Sequence, residues 1–235
     1  MHRDRIKEFE NGLKKFEREN TNLPGIISPE SRLCLCKQVV SSIRRIEYIK
    51  QLHARPICEE RCDPHSNMFD PIKAAIWFIR SGELEEAIWI TFLQTHFGKH
   101  EIDGWKLAAN IYGSFDAGPI WTYKRYRDSP DVFENMLISN QYILSNKTLA
   151  GRFSNHRKYQ SKKPEAIAKV FRTFFEWQTS EGGFRELLVS IHKKNGQEPQ
   201  AAFDGLFKSM NKISGFGKGR LGRFDFLTML GKLEL

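Results

Sequence analysis

The sequence lacks any apolar run close to the roughly 20 residues that a membrane-spanning helix needs. This absence excludes a helical membrane protein, and we expect no membrane partner. The N-terminal segment is charged throughout and has no apolar stretch of the kind that a signal peptide contains. We therefore expect the protein to stay in the cytoplasm.

Cysteine is scarce, with four residues in a chain of 235: Cys34, Cys36, Cys58 and Cys62. In a cytoplasmic chain these should be reduced thiols. Together with His65 they offer the donor types of a zinc site, but their spacing fits no common zinc signature. Ordinary thiols are therefore favoured over zinc ligands, and we expect neither a metal nor a cofactor.

Strand signals are scarce as well, because β-branched residues nowhere alternate with polar ones for long. Helix signals are frequent. Ser28-Pro29 and Asp70-Pro71 each combine a capping side chain with proline at the first helical position. The sequence therefore predicts an all-α protein.

One segment, 83–97, is predicted to be the central helix. It is acidic in its first turn, at Glu85 and Glu86, as the helix dipole favours, and we interpret these residues as a helix-start pair. Its second half is apolar nearly all round, which is typical of a buried helix. We expect an N-terminal helical arm over residues 1–66 and a main helical domain over 67–235.

Basic residues outnumber acidic ones, 37 to 28, which gives a formal net charge of +9 and a pI of about 9.4. Such an excess favours a polyanionic partner, most often nucleic acid. Charge alone does not separate DNA from RNA or from an anionic membrane surface.

A helical hairpin is predicted at about 200–233, with a glycine-rich turn at 214–219. Gly215 and Gly217 bracket one apolar residue, and glycine lets the backbone turn sharply and approach a ligand closely. The start of the second helix offers free N–H groups and partial positive charge, which suit a phosphate. The cations around this turn are Lys212, Lys218, Arg220 and Arg223. The alternative is an ordinary turn with a solvated face.

A second polar segment, Asn155–Tyr159, is predicted to be a loop rich in hydrogen-bonding side chains. His156 can act as acid or base near neutral pH, Arg157 can grip phosphate with its planar fork, and Tyr159 can stack on a base. The alternative is a solvated basic loop. Aromatics and cations also interleave over 121–127, where base stacking and core packing both remain open.

Four blocks of the sequence together resemble one family: FDPIKAAIWFIRSGELEEAIWITFLQTHFGKH (69–100), GW…IYG (104–113), FSNHRKYQSKK (153–163) and FDGLFKSMNKISGFGKGRLGRFDFLTMLGKL (203–233). Over residues 69–235 the chain resembles the α-glutamyl/putrescinyl thymine pyrophosphorylase family, most closely its third clade. The resemblance is most specific at THFGKH, NHRKY and FGK…RFDFLTMLGKL.

The resemblance implies a fold like that of helix-hairpin-helix DNA glycosylases, and double-stranded DNA carrying modified pyrimidines as the partner. Relatives are associated with two reactions. One is excision of a bulky modified base by N-glycosidic hydrolysis, in defence against phage. The other is transfer of an amine or amino acid to a 5-pyrophosphomethyl pyrimidine. We expect excision by a monomer in the cytoplasm of a bacterium or phage-infected host; transfer and non-catalytic DNA binding are the alternatives.

Excision needs a carboxylate that stabilises oxocarbenium character at the sugar, and Asp225 is the candidate. In helix-hairpin-helix glycosylases the aspartate lies beyond the second helix of the hairpin. This chain reaches Leu235 before that position, so Asp225 would be an unorthodox replacement. The alternative is that Asp225 pairs with an internal cation such as Arg220 or Arg223.

The expected catalytic residues are Asp225, His156 and Asn155. The expected substrate- and DNA-binding residues are His96, Lys99, His100, Arg157, Lys158, Tyr159, Gly215, Gly217, Lys218, Arg220 and Arg223. His96, Lys99 and His100 are selected because they lie in the block that resembles the family, not because of their spacing. Histidines at the end of a helix can also cap its carbonyls.

Overall fold

The computed structural model describes residues 2–196, 198–216 and 220–235, without the side chains of His2 and Arg220. These residues form α-helices and 3-10 turns and no strand, which confirms the all-α prediction. The α-helices are α1 (His2–Glu19), α2 (Pro29–His53), α3 (Pro71–Arg80), α4 (Leu84–Phe97), α5 (Lys106–Tyr112), α6 (Tyr123–Asp128), α7 (Pro130–Ser139), α8 (Gln141–Ser145), α9 (Lys147–Ala150), α10 (Pro164–Gln178), α11 (Phe184–Asn195), α12 (Pro199–Ser209) and α13 (Arg220–Leu233). The 3-10 turns are Pro24–Ile26, Glu59–Arg61, Ser114–Asp116, Asn155–Arg157 and Met210–Lys212. No described helix combines the length and apolarity that a bilayer crossing requires.

The chain divides into two compact units, residues 1–56 and 57–235. In the first unit, α1 and α2 pack against each other in antiparallel directions. Arg5 near the start of α1 pairs with Glu47 near the end of α2 at 2.8 Å, and Glu17 pairs with Arg32 at 2.6 Å at the other end. The predicted border at residue 66 between an arm and a main domain stays a prediction.

The predicted helix caps are confirmed. The Ser28 hydroxyl accepts a hydrogen bond from the Ser31 amide at 3.1 Å, and Pro29 opens α2. The Asp70 carboxylate accepts from the amide of Ile72 at 3.2 Å, and Pro71 opens α3. Each cap satisfies an amide that the first helical turn leaves unpaired.

The second unit is built around α4, which is buried on all sides from Glu86 to Phe97. The helices α3 and α13 pack directly against it. Its aromatic side chains enter a cluster in which Phe92 stacks on Phe174 with a centroid distance of 3.9 Å. Burying each such ring stabilises the fold by about 2–3 kcal/mol. The prediction of a central buried helix is confirmed.

The aromatics of the 121–127 segment belong to this core. Trp121 and Tyr126 are each 1 % exposed, and the Trp89 indole donates to the Trp121 carbonyl at 2.9 Å. Core packing is therefore the role of these two rings, and stacking on a DNA base is not available to them in this structure.

Two segments differ from what the sequence pattern predicts. Ser129-Pro130 reads as a helix start and predicts a single helix from residue 130 to about 143, but α7 ends at Ser139 and α8 begins at Gln141. The side-chain amide of Asn140 donates to the Met136 carbonyl at 2.9 Å, a local bond that competes with helix continuation. The stretch 145–163 is polar and basic with little periodicity, which predicts a loop, but it contains α9 and one 3-10 turn.

The cysteines divide into exposed and shielded thiols. Cys34 and Cys58 are exposed, Cys36 is buried, and burial raises the pKa of the Cys62 thiol to about 12. Among the described residues, no group of three His, Cys, Asp or Glu side chains is arranged to hold a metal ion.

The loop after α9 closes on the end of α4 at Gly98. Gly98 has φ +66°, and a Cβ there would overlap the hydroxyl of Ser154 and lie 2.7 Å from its Cβ. The Ser154 amide donates to the Phe97 carbonyl at 3.0 Å. Two separate features require glycine at position 98: its positive φ and the close approach of Ser154.

We expect Gly98→Ala to lower the unfolding free energy of the second unit by about 2–4 kcal/mol, since backbone strain adds to a steric overlap. All five tryptophans lie in the second unit, so tryptophan fluorescence during urea unfolding measures it selectively. Gly104→Ala is the control, because Gly104 has φ +60° with nothing within 4 Å of a Cβ. Equal losses in the two variants would contradict a role for the close approach to Ser154.

Candidate functional site

The site is centred on an ion pair between Arg157 and Asp225, which come from different parts of the second unit. Arg157 is 5 % exposed, and its Nη2 lies 2.7 Å from Oδ2 of Asp225. The Arg157 Nε also donates to the Thr95 carbonyl, in the last turn of α4, at 2.9 Å. Asp225 is thus paired with an internal cation, but that cation is Arg157 and not Arg223, which has other partners. The Arg220 side chain lies outside the described residues.

The local backbone explains why Arg157 alone of its segment is buried. The Arg157 amide donates to the Ser154 carbonyl at 2.8 Å, and the Gln160 amide donates to the Arg157 carbonyl at 2.9 Å. These consecutive turns direct residue 157 inward. The side chains directed outward, all exposed, are Asn155, His156, Lys158 and Tyr159.

Asp225 lies at the edge of the core. Its neighbour Phe226 is fully buried, whereas 49 % of the Asp225 side chain is exposed. Its second oxygen, Oδ1, has no hydrogen-bond partner among the described residues. The carboxylate is therefore fixed by one oxygen and open to solvent or a ligand at the other.

The hairpin turn adjoins the same segment. Gly215 has φ +75°, and its carbonyl accepts a hydrogen bond from the Gln160 side chain at 3.1 Å. Phe216 is 2 % exposed and packs into the aromatic core. The predictions for Gly217 and Lys218 lie outside the described residues, as does the side chain of Arg220.

His96 is buried beside Arg157, with 2 % of its surface exposed. Its ring stacks against Phe92 and Phe216 at centroid distances of 5.8 and 6.2 Å. Neither ring nitrogen has a hydrogen-bond partner among the described residues. Burial, reinforced by the charge of Arg157, lowers the pKa of His96 to about 3, so the imidazole is neutral.

The remaining residues expected near α4 have different surroundings. Lys99 is exposed. The His100 Nδ1 accepts hydrogen bonds from the amides of Ile102 and Asp103, both at 3.2 Å, so His100 organises the turn that follows α4.

Arg223 is turned into the hairpin. It is 7 % exposed, donates to the Phe207 carbonyl at 2.9 Å and also to the Asn211 side chain. Its guanidinium lies 4.0 Å from the centre of the Phe207 ring. Arg223 therefore joins α12 to α13, and its described contacts are internal.

Sequence reasoning did not select Gln160 or Thr95 as part of the site. Gln160 directly follows the NHRKY segment, so the pattern marked its position but not its contact with the hairpin. Thr95 contributes only its backbone carbonyl, and no side-chain pattern carries that signal.

Glu86 lies in the first turn of α4, as the helix-start interpretation predicts, and it also has a second role. It is 7 % exposed and accepts hydrogen bonds from the Tyr112 hydroxyl at 2.7 Å and the Tyr123 amide at 2.6 Å. Burial raises the pKa of its carboxyl to about 7. Glu86 thus ties α4 to α5 and α6.

Three kinds of functional group come together at this site. A half-exposed carboxylate is held by a buried guanidinium, a neutral imidazole lies near the guanidinium, and exposed polar side chains precede and follow Arg157 in the chain. Such a set can stabilise positive charge on a ligand at Asp225 and offer hydrogen bonds to it.

The buried imidazole predicts a pH-dependent stability. The ordinary pKa of 6.5 applies to unfolded His96, but the folded value is about 3. Below pH 6.5 the unfolded chain gains a proton that the folded chain cannot hold, so the unfolding free energy falls with pH. Between about pH 7.5 and 5.5, the fall in unfolding free energy should be about 1 kcal/mol smaller in His96→Phe than in the parent protein. Tryptophan fluorescence during urea unfolding measures this difference.

Glu86 has the opposite effect on the unfolding free energy, because its raised pKa favours the folded state as pH falls from 7. Its contribution is common to both proteins and cancels in the comparison. His96→Leu serves as a second apolar variant in case the phenyl ring does not fit. Identical pH dependence in the parent protein and both variants would contradict the assignment of a neutral, unpartnered His96.

A comparison of the sequence with models of known protein families agrees with the resemblance noted above. The family model for alpha-glutamyl/putrescinyl thymine pyrophosphorylase clade 3 matches residues 30–235, and the match begins before the first of the similar blocks. Neither the comparison with curated proteins nor the comparison with solved structures gives a match. The family takes part in thymine hypermodification of DNA. Because the match spans most of the chain, this protein belongs to the alpha-glutamyl/putrescinyl thymine pyrophosphorylase family, clade 3.

Proposed function

We propose that the protein binds DNA, extrudes a hypermodified pyrimidine and cleaves its N-glycosidic bond beside Asp225. The observation that carries this proposal is the half-exposed Asp225 carboxylate on the second helix of the hairpin, fixed by Arg157 at 2.7 Å. Family membership supports a modified thymine in DNA as the substrate.

The proposed step breaks the bond between C1′ of the sugar and N1 of the base. Positive charge develops on the sugar as the bond lengthens, and the Asp225 carboxylate stabilises it. Water adds to C1′ and supplies the proton that the departing base takes up. Arg157 fixes the position of Asp225, so the charge is in place before the reaction begins.

Asn155, His156, Lys158 and Tyr159 are proposed to contact the extruded nucleotide or its phosphates, since all four side chains are exposed next to Arg157. Gly215 and the residues that follow it are proposed to hold the DNA strand. Extrusion costs a few kcal/mol, which these contacts would offset.

Transfer of an amine is the second candidate, and the name of the family favours it. A departing pyrophosphate would need cations. Lys99 and Lys158 are exposed and suited to that role, but Arg157 is buried and already bound to Asp225 and Thr95. The geometry of Arg157 therefore favours excision over transfer.

We expect incubation with thymine-hypermodified phage DNA to produce abasic sites and the free modified base, measured with an aldehyde-reactive probe and by mass spectrometry. Asp225→Asn should lower this rate about 100-fold or more, because the variant keeps the shape but loses the charge. DNA affinity should change little, since the aspartate does not bind phosphate.

Asp204→Asn is the matched control, because Asp204 is exposed on α12 of the same hairpin. Urea unfolding checks that Asp225→Asn still folds. Amine adducts with released pyrophosphate, and no abasic sites, would establish transfer instead. Binding without any chemical change in a panel of hypermodified DNAs would reject both reactions.

A further inference from the structure

A short turn after α4, residues 100–104, is braced by its own hydrogen bonds. His100 and Gly104 exchange two backbone hydrogen bonds, each of 2.9 Å. The His100 Nδ1 accepts two more from the amides of Ile102 and Asp103. Since the polar groups of the turn bond to one another, its tip is held in one conformation.

Ile102 stands at the tip of this turn. It is 78 % exposed, the largest exposed fraction among the large apolar side chains of the described residues. Single exposed apolar residues are common and need no explanation by themselves. A β-branched side chain on a braced turn, however, is a stiff apolar projection.

The turn is anchored from one side by Arg152. Its Nε and Nη2 bind the two oxygens of Asp103 at 2.7 and 2.9 Å. These bonds lower the pKa of Asp103 to about 2, so the pair persists over the whole physiological pH range. The fork fixes the orientation of the turn relative to the loop after α9.

Several cations lie near Asp103 in the turn: Lys106, Arg152 and Lys162 interact with it electrostatically, and Lys147 lies near Lys162. The ammonium of Lys106 donates to the Thr148 carbonyl at 2.8 Å, and that of Lys162 donates to the Gly151 carbonyl at 3.1 Å. Each ammonium carries three donors, so both lysines keep capacity for a further acceptor.

The acidic residues of the same surface are Glu101 and Asp103, and Asp103 is already paired. Four cations against two carboxylates leave the surface positive. An apolar projection inside a positive rim fits duplex DNA, in which phosphates flank stacked bases.

The turn and the Asp225 site lie at the same end of α4. The Ser154 amide bonds the Phe97 carbonyl, and Gly98 packs against Ser154, three residues before Arg157. The turn and the Asp225 site are therefore linked through the same end of α4, as contact with one stretch of DNA requires.

We infer that Ile102 is a wedge that enters the duplex where the modified pyrimidine leaves the stack, while Lys106, Lys147 and Lys162 hold the adjacent phosphates. This inference rests on the proposed extrusion of a base, but not on the reaction that follows. A wedge fills the space left by the base and so favours the extruded state.

The test uses a synthetic duplex with one 5-aminoalkyl deoxyuridine and 2-aminopurine as its neighbour, whose fluorescence rises when stacking is lost. We expect the parent protein to raise the fluorescence and Ile102→Ala to reduce that rise about fivefold or more. Ile102→Leu should restore most of it. Ile138→Ala is the control, because Ile138 is 53 % exposed and belongs to α7, outside the 100–104 turn.

The lysines are tested separately on unmodified duplex DNA, where base chemistry plays no part. Changing each lysine to glutamine should reduce the slope of log Kd against log salt by about 1. A full fluorescence rise with Ile102→Ala would overturn the wedge, and an unchanged salt slope would overturn the phosphate contacts. An Ile102-dependent rise without abasic sites would support the wedge and reject only excision.

Discussion

A buried guanidinium is stable only if its donors are satisfied, and Arg157 meets this requirement with groups from two different helices. The Thr95 carbonyl belongs to α4 and the Asp225 carboxylate to α13. Removing either partner would leave a charge in the core that is poorly compensated. The end of α4, the loop that contains Arg157 and the second hairpin helix therefore depend on one another for their positions.

The fold could be predicted from the sequence because its main signals are local. A cap followed by proline marks the starts of α2 and α3, and the apolar second half of 83–97 marks the central helix. The break at Asn140 could not be predicted in this way. The side chain of Asn140 donates to the Met136 carbonyl at the end of α7, a local bond that the helix signals of the sequence do not reveal.

The segments that form the candidate site could be predicted from the sequence, but the contacts between their side chains could not. Arg157 and Asp225 were both selected from the sequence, yet their pairing joins residues 68 positions apart and depends on tertiary packing. The burial of His96 was not predictable either, because it follows from Phe92 and Phe216 enclosing the ring. The contributions of Gly217, Lys218 and the Arg220 side chain stay predictions.

The difference in exposure among the four thiols has a consequence under oxidative stress. The pKa of about 12 keeps Cys62 protonated and unreactive, and Cys36 is buried. Cys34 and Cys58 are exposed, so an oxidant or alkylating agent reaches these two sulfurs first. Early damage would modify the outer surface of each unit while the aromatic interior around α4 stays intact.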